Sequence, residues 1–407
     1  MIGIEKIGVY GGRMSLGIEA LVRERGLDED RFLKEYLLQE RSVFAPFEDA
    51  VTMAANAAEI ILADTDRQSI ALLLVATESA VDFGKPLSSW VQRLCALPSA
   101  IRNLEVKHAC YGLTGAIRLA EAFLAGHPDP AVTALVIGAD ASRNHIEDPA
   151  EPICGGAATA VLLSQRAPLI VLSGLEEAGV WSRETPDTFR PTATAECGNN
   201  DLSLFSYLDA LGGSLADFRT RRADFHPETS TTHNVYHAPF PAMTFQAHRQ
   251  VLKTFGSPTP AQIRASFNTR VLPGLGFCQR IGTSYGSSVW IALTALLGKL
   301  EQPSTVSVFS YGSGCQSEYF LAHLTPDQRW AVRLAADLDA RAPIDVALYA
   351  ATEIARRDQA EVAELSPCAT ELGRRLLKTA FHEPRDWVLE KVSDYVRHYA
   401  RAGELAS

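Results

Sequence analysis

A chain of 407 residues, 47% hydrophobic and 21% charged, is long enough for two core-sized units or one large α/β domain. A net charge of −10, with no basic block longer than "RTRR" at 219–222, argues against nucleic acid as a general partner, and no apolar run of the roughly 18 residues a membrane span needs is present. The start "MIGIEKIGVYGGRM" lacks the basic and apolar regions of a secretion signal, and the seven cysteines include no C-x-x-C pair, so the expectation is a soluble, cytoplasmic protein with reduced thiols, no disulfide framework and no metal site.

In chain order, "DAVTMAANAAEIILAD" (49–64) opens on Asp49 as a cap and repeats apolar residues at helical spacing. "SIALLLVATES" (69–79) is apolar on both faces, the pattern of a strand buried between two helical layers, and it ends at Glu78. Helix "LSSWVQRLCAL", strand "NLEVKHA", helix "GLTGAIRLAEAFLAG" closed by Gly126 and Pro128, and strands "AVTALVIGADAS" and "GAATAVLLS" follow. This alternation predicts a largely parallel sheet covered by helices, with Glu78 and Cys110 at strand ends where such sheets bind ligands.

The second half reads as helix "DLSLFSYLDALGGSLADF", strand "HNVYHAPF", helix "AMTFQAHRQVLKTF", helix "GTSYGSSVWIALTALLGKL" and strand "TVSVFSYGSG". Glycine-rich segments "CGGAATAVLL" and "YGSGCQSEYFL" each flank a late strand, which suggests two similar halves, 1–165 and 166–407. From about residue 325 the pattern is charged and helical, and 182–200 and 227–232 read as loops.

Cys110 sits where a strand meets the small residues Gly112, Thr114, Gly115 and Ala116 that lead into a helix. Most lone cysteines are packing residues, but a helix N-terminus lowers a thiol pKa from about 8.5 to roughly 3.5–7.5, which predicts a thiolate here. Glu78 reads either as a solvated strand-end carboxylate or, if walled by apolar groups, as a general acid–base with a raised pKa. His237, in "NVYHAPF", is held on a bend that Pro239 biases. His108 and Cys315 are weaker candidates, each more simply a packing residue, and "YGSG" at 311–314 offers backbone N–H groups to an oxyanion or a pantetheine chain. No Walker or dinucleotide fingerprint occurs.

Together "VATESAVDFGKPLS", "EVKHACYGLTGA", "NVYHAPFPAMTFQAHR", "TRVLPGLGFCQRIG" and "SVFSYGSGCQSEYF" resemble the hydroxymethylglutaryl-CoA synthases of the thiolase superfamily. "DFGKPLS", "FEDAVT" and "DLSLFSYLDAL" look closer to the branch serving bacterial polyketide assembly, which installs β-branches on chains tethered to acyl carrier proteins. The resemblance implies a five-layered αβαβα fold, a homodimer, and a catalytic trio falling on Glu78, Cys110 and His237. It implies no cofactor beyond the phosphopantetheine thioesters of the substrates. In the implied reaction Cys110 takes an acetyl group, Glu78 removes a methyl proton, the carbanion attacks a β-keto carbon that His237 polarises, and water releases the product.

One departure falls on substrate binding: where the family usually reads Gly-Asn, this chain has Gly282 and Thr283. A threonine hydroxyl donates one hydrogen bond where an amide donates two, so Ser284 and Tyr285 are expected to compensate. Ser310, Tyr311 and Gly312 match the family's "SYGSG" and are expected to line the site. A carrier protein is acidic, which makes Arg219, Arg221, Arg222 or Lys253 candidate docking residues. The competing readings are the same condensation on acetyl-CoA and acetoacetyl-CoA, a ketosynthase III-like acyltransferase, and a catalytically dead thiolase-fold binding protein. Glu78, and Thr283 at the Asn position, count against the ketosynthase reading.

Overall fold

A computed structural model describes residues 2–142, 146–166, 168–192, 195–357, 361–381 and 384–405. Two sets of strands build the architecture. In the first, Gly3–Tyr10, Gly156–Ser164, Thr133–Ala141, Ile70–Ala76 and Arg102–Val106 lie side by side in that spatial order. Ile70–Ala76 runs parallel to both of its neighbours, whereas Gly156–Ser164 is antiparallel to Thr133–Ala141 and to Gly3–Tyr10. In the second set, His233–Tyr236 runs parallel to Ser304–Gly312, which pairs antiparallel with Gln316–Leu324, itself antiparallel to Ile170–Leu172 and Gly179–Ser182. The two sets therefore repeat one order and one pattern of sense, joined by the bridge Ile4–Ile170. The sheet is mixed where alternation alone predicted a largely parallel one: among the described residues between "GAATAVLLS" and its partner strand the helical structure is one short turn, Glu151–Ile153, too short for a crossover, and the strand returns antiparallel.

Strand residues alternate between faces, and the alternation sorts the core into layers. Leu73 and Val75 pack with helices Ala50–Leu62 and Leu87–Leu94, while Leu72, Leu74 and Ala76 face helices Gly112–Ala125 and Ser287–Leu297. The same two helices receive Val306 and Val308 of the second sheet, whose opposite face, through Phe309 and Tyr311, meets helices Asn200–Arg221 and Met243–Phe255. The sequence of layers is helix, sheet, helix, sheet, helix. Ala50–Leu62 starts as read, with Asp49 and Thr52 forming a reciprocal capping box.

Three segments differ from the sequence reading. The helix expected over 282–300 starts late: a separate short helix, Cys278–Ile281, ends at Gly282, whose φ of +81° suits glycine, and the expected helix begins only at Ser287, leaving 283–286 as a turn. The 182–200 loop contains a short hairpin, Thr188–Phe189 with Cys197–Gly198. Beyond residue 325 there are helices Gln328–Asp339, Val346–Arg357 and Glu371–Ala380, but also a hairpin of Trp387–Ser393 and Val396–Arg401. That hairpin packs on the first half: Leu389 N–H donates to Phe47 O at 2.8 Å, Asn56 exchanges hydrogen bonds with the Trp387 backbone, and Arg397 and Tyr399 meet Asp49. Among the described residues no helix is long and apolar enough to cross a membrane.

Candidate active site

The nucleophile candidate stands on a tight turn between a strand and a helix. Strand Arg102–Val106 ends, Ala109 takes φ +40°, and the N–H groups of Tyr111 and Gly112 donate back to His108 O and Ala109 O before helix Gly112–Ala125 begins. Two glycines of the second half let that turn seat. A Cβ at Gly286 would stand 2.9 Å from Cys110 O, and one at Gly312 would stand 2.5 Å from Tyr111 N. Glu78 sits two residues past the end of the neighbouring strand, where its own N–H donates to Asp140 Oδ1 at 2.8 Å and Thr77 Oγ1 donates to the same oxygen.

These placements bring the Cys110 thiol, partly exposed, into a 3.5 Å hydrogen bond with Glu78 Oε1. Burial raises the thiol well above its ordinary range, and the negative charges of Glu78 and Asp140 raise it further. The sequence expectation of a preformed thiolate is thus corrected. Cys110 precedes the helical residues, and the N–H groups nearest it are spent on the turn and not on sulfur. Burial pushes Glu78 up to about 8 against the opposing charge of Arg190, and pushes Asp140 up to about 6. Of the two readings of Glu78, the structure supports the walled, proton-holding carboxyl.

His237 follows strand His233–Tyr236 and is 2% exposed. Its N–H donates to Phe309 O, its carbonyl accepts from Tyr207 Oη, and its Nδ1 lies 2.8 Å from Ser288 Oγ. Ser288 Oγ also accepts from Ala238 N–H; when it gives its own proton to Nδ1, the ring's proton sits on Nε2. Burial drops this imidazole to about 3, so it is neutral. Ser288 stands two residues after Gly286, which packs on the Cys110 turn, and so ties the histidine to the thiol.

The substrate-binding candidates divide. Thr283 Oγ1 donates to Pro239 O at 2.5 Å, so its one proton is not available to a substrate. Ser284 is 1% exposed and its hydroxyl has no hydrogen-bond partner, which makes it the free donor of the pair. Tyr285 Oη reaches Glu196 at 3.2 Å and Ser142 at 3.3 Å. Ser310, 1% exposed, donates to Thr114 Oγ1 and braces the helix behind Cys110; it does not line an open site. Tyr311 turns its hydroxyl to Asp187 while its ring lies 6.1 Å from that of His237, and Gly312 serves as the close-approach residue. Cys315 is buried in an apolar cluster and His108 stacks edge-on against Tyr111, so the bland reading of each stands.

The docking candidates lie far from this chemistry. About 21 Å of helix separates Tyr207, beside His237, from Arg221, and about 15 Å separates Met243 from Lys253. Arg221 is paired with Asp217, Arg222 with Glu177, and Arg219 lies over the Phe255 ring. Sequence reasoning missed Asp140, Ser288, Glu196 and Arg190. Nη1 of Arg190 donates to Ser79 Oγ, its Nη2 donates to Glu196, and its Nε lies 3.7 Å from Glu78 Oε2. Asp140 carried a signal, an acid ending an apolar strand as Glu78 does; Arg190, in "DTFRPT", carried none. Among the described residues no His, Cys, Asp and Glu cluster suited to a metal is found.

Residues 247–366 match the family model described as "Hydroxymethylglutaryl-coenzyme A synthase C terminal". The chain is 35% identical over 339 residues to the "Polyketide biosynthesis 3-hydroxy-3-methylglutaryl-ACP synthase PksG" of Bacillus subtilis (strain 168), covering 80% of each. It is 28% identical to a hydroxymethylglutaryl-CoA synthase of Enterococcus faecalis, over 79% of this chain and 83% of the other. Among solved structures it superposes on the HMG synthase of the curacin biosynthetic pathway in complex with holo donor-ACP with a TM-score of 0.92 at 30% identity, covering 98% of this chain and 99% of that one. The hydroxymethylglutaryl synthase complexed with CoA superposes less closely, with a TM-score of 0.85 at 27% identity and the same coverage.

Proposed function

The chain belongs to the hydroxymethylglutaryl synthase family, thiolase-fold acyltransferases that form a carbon–carbon bond, and from that premise we propose that it condenses a Cys110-bound acetyl group with the β-keto carbon of a polyketide chain tethered to an acyl carrier protein, installing a β-branch. The observation that carries the reading is the hydrogen bond from the Cys110 thiol to Glu78, with a neutral His237 linked to the Cys110 turn through Ser288 and Gly286. The greater likeness to the polyketide synthases than to the CoA enzymes supports carrier-bound substrates.

The steps follow from what each group can do. Cys110 passes its proton to Glu78 as sulfur attacks the donor thioester, and the carrier thiol leaves with a proton. Glu78, again ionised, removes a methyl proton from the acetyl group, and the electron pair moves into the thioester as an enolate. The enolate carbon attacks the acceptor's β-carbonyl while Nε2–H of His237 donates a hydrogen bond to its oxygen, and the alkoxide that forms takes the proton Glu78 removed from the methyl group, so Glu78 is ionised again and His237 stays neutral. Water then cleaves the Cys110 thioester, giving a free carboxylate on a 3-hydroxy-3-carboxymethyl acyl thioester and restoring the thiol.

In this reading the enzyme needs no cofactor of its own, because the thioester substrates carry their phosphopantetheine arms. Donor and acceptor carrier proteins are its partners, in the cytoplasm. A homodimer is the natural cover for strand Arg102–Val106, which ends the sheet with Leu104 57% exposed.

Mass spectrometry of acetyl-loaded and acetoacetyl-loaded carrier proteins incubated with the enzyme tests the reading. The expected result is an acetyl adduct on the enzyme, lost in Cys110→Ala, and a mass gain on the acceptor equal to acetate. Equal or faster turnover of the two CoA thioesters would transfer the assignment to the CoA branch, and an unmodified enzyme under excess donor would leave only a binding role.

A further inference from the structure

Arg190 lies between the two short strands of the 188–198 hairpin, yet its side chain is only 8% exposed. Its contacts hold it from several sides. Nη1 donates to Ser79 Oγ at 2.9 Å and Glu78 O at 3.3 Å, Nη2 donates to Glu196 Oε2 at 3.0 Å, and the guanidinium lies over the Tyr285 ring at 4.8 Å from its centroid. Nη2 also donates to Ala141 O at 3.4 Å, and the fifth N–H, at Nε, is buried without a hydrogen-bond partner, 3.7 Å from Glu78 Oε2. A buried donor without a partner is costly, and this one lies within ion-pair reach of the carboxyl that meets the nucleophile.

Three carboxyls, Glu78, Asp140 and Glu196, surround this one cation. Buried acids so close together do not all ionise unless a positive charge offsets them. Burial works against the charge of Arg190, but Tyr285 and the three carboxyls outweigh it. The planar guanidinium meets Ser79 and the Glu78 carbonyl from Nη1 and Glu196 from Nη2, a spread that a lysine's single nitrogen does not reproduce.

We propose that Arg190 is the positioning residue for Glu78: it fixes the carboxyl toward Cys110 and supplies the charge against which that carboxyl releases and retakes a proton. The inference rests on Glu78 being the base of the proposed reaction. When the methyl C–H bond of acetyl-Cys110 breaks, its electron pair enters the thioester as the enolate and the proton goes to Glu78; Arg190 itself exchanges nothing. Without Arg190, Glu78 lies buried beside two acids and keeps its proton to higher pH.

The test is deuterium uptake by the acetyl methyl group of acetylated enzyme in D2O, without acceptor, followed by intact mass from pH 6 to 9 for the wild type, R190M, R190K and E78Q. Uptake in R190M is expected to be at least about tenfold slower at pH 7, the effect of one pKa unit, to recover toward pH 9, and to be intermediate in R190K. An R190M profile that superposes on the wild type overturns the proposal, and so does a loss in R190M that no rise in pH restores. Should R190M not fold, R190K must show the same displacement toward high pH, and its absence overturns the proposal. A wild type that takes up no deuterium, or an E78Q variant that does so normally, overturns instead the assignment of the base.

Discussion

Ser288 Oγ lies 2.8 Å from His237 Nδ1 while accepting the Ala238 N–H, so one hydroxyl controls how the imidazole is held. Ser288→Ala removes that control without touching Cys110 or Glu78. Acetyl transfer to Cys110 is expected to stay within about twofold, whereas condensation falls about tenfold or more, as loss of a share of the acid–base contribution. Single-turnover acetylation and steady-state product formation, measured on one preparation, separate the two. Equal losses in both steps would assign Ser288 a purely structural role.

Glu78→Gln keeps the shape of the side chain and removes the base. Acetyl-enzyme is expected to form more slowly, since the thiol loses its proton acceptor, and condensation to fall by about 10²- to 10⁴-fold. Product at the wild-type rate would exclude Glu78 as the base.

The same carboxyl bears on stability. Glu78 and Glu48 are raised by burial to about 8 and about 7, so above pH 4.5 the native state binds more protons than the unfolded one and stability falls as pH rises through those values. His237 and His248 are lowered to about 3 and about 4, with the opposite sign, but their contribution is complete by about pH 6.5. The melting temperature is therefore expected to decline from pH 6.5 to 8.5. In Glu78→Gln the decline is shallower, by at most about 1.4 kcal/mol per pH unit. Identical slopes in the two proteins would show that Glu78 is not buried in the way described.

Acetyl transfer itself is expected to accelerate with pH. Burial and the nearby carboxyls hold the Cys110 thiol protonated, and Glu78, raised to about 8, accepts its proton only when ionised. The single-turnover rate should climb from pH 6 to 9. A flat profile would mean that a thiolate exists beforehand.

Thr283 and Ser284 are expected to separate structure from recognition. Thr283→Val breaks the bond to Pro239 O and costs about 1 kcal/mol of stability. Ser284→Ala removes a hydroxyl that bonds to nothing, so stability is held or gained while KM for the acceptor rises. Thermal melts and acceptor titrations of both variants check this. An unchanged KM in Ser284→Ala would remove Ser284 from the binding site.

What the sequence made legible followed from periodicity and from motifs. Residues alternating between two apolar faces, as in "SIALLLVA", revealed strands buried between helices, and the five motifs led to Glu78, Cys110 and His237. What stayed hidden depends on contacts between distant segments. Arg190 follows a two-residue strand that has no periodic pattern, and reaches Glu78 across 112 positions of chain. The ionisation state of Cys110 was misjudged because helix position was weighed without the burial and negative charge that only tertiary packing brings. Ser310 looked like a site residue from its motif, but its strand face points it at Thr114.

The hairpin at Trp387–Arg401, seated on the helix that Asp49 caps, also constrains how the protein is made. Val388, Leu389 and Tyr399 complete an apolar cluster begun by Phe47, Val51 and Leu73. At the roughly 5–20 residues per second of translation, the ribosome leaves that surface uncovered until some 300 further residues have emerged. Early segments wait for late ones to be covered, so removal of residues 388–405 is expected to act as a folding defect, with the chemistry lost only in consequence.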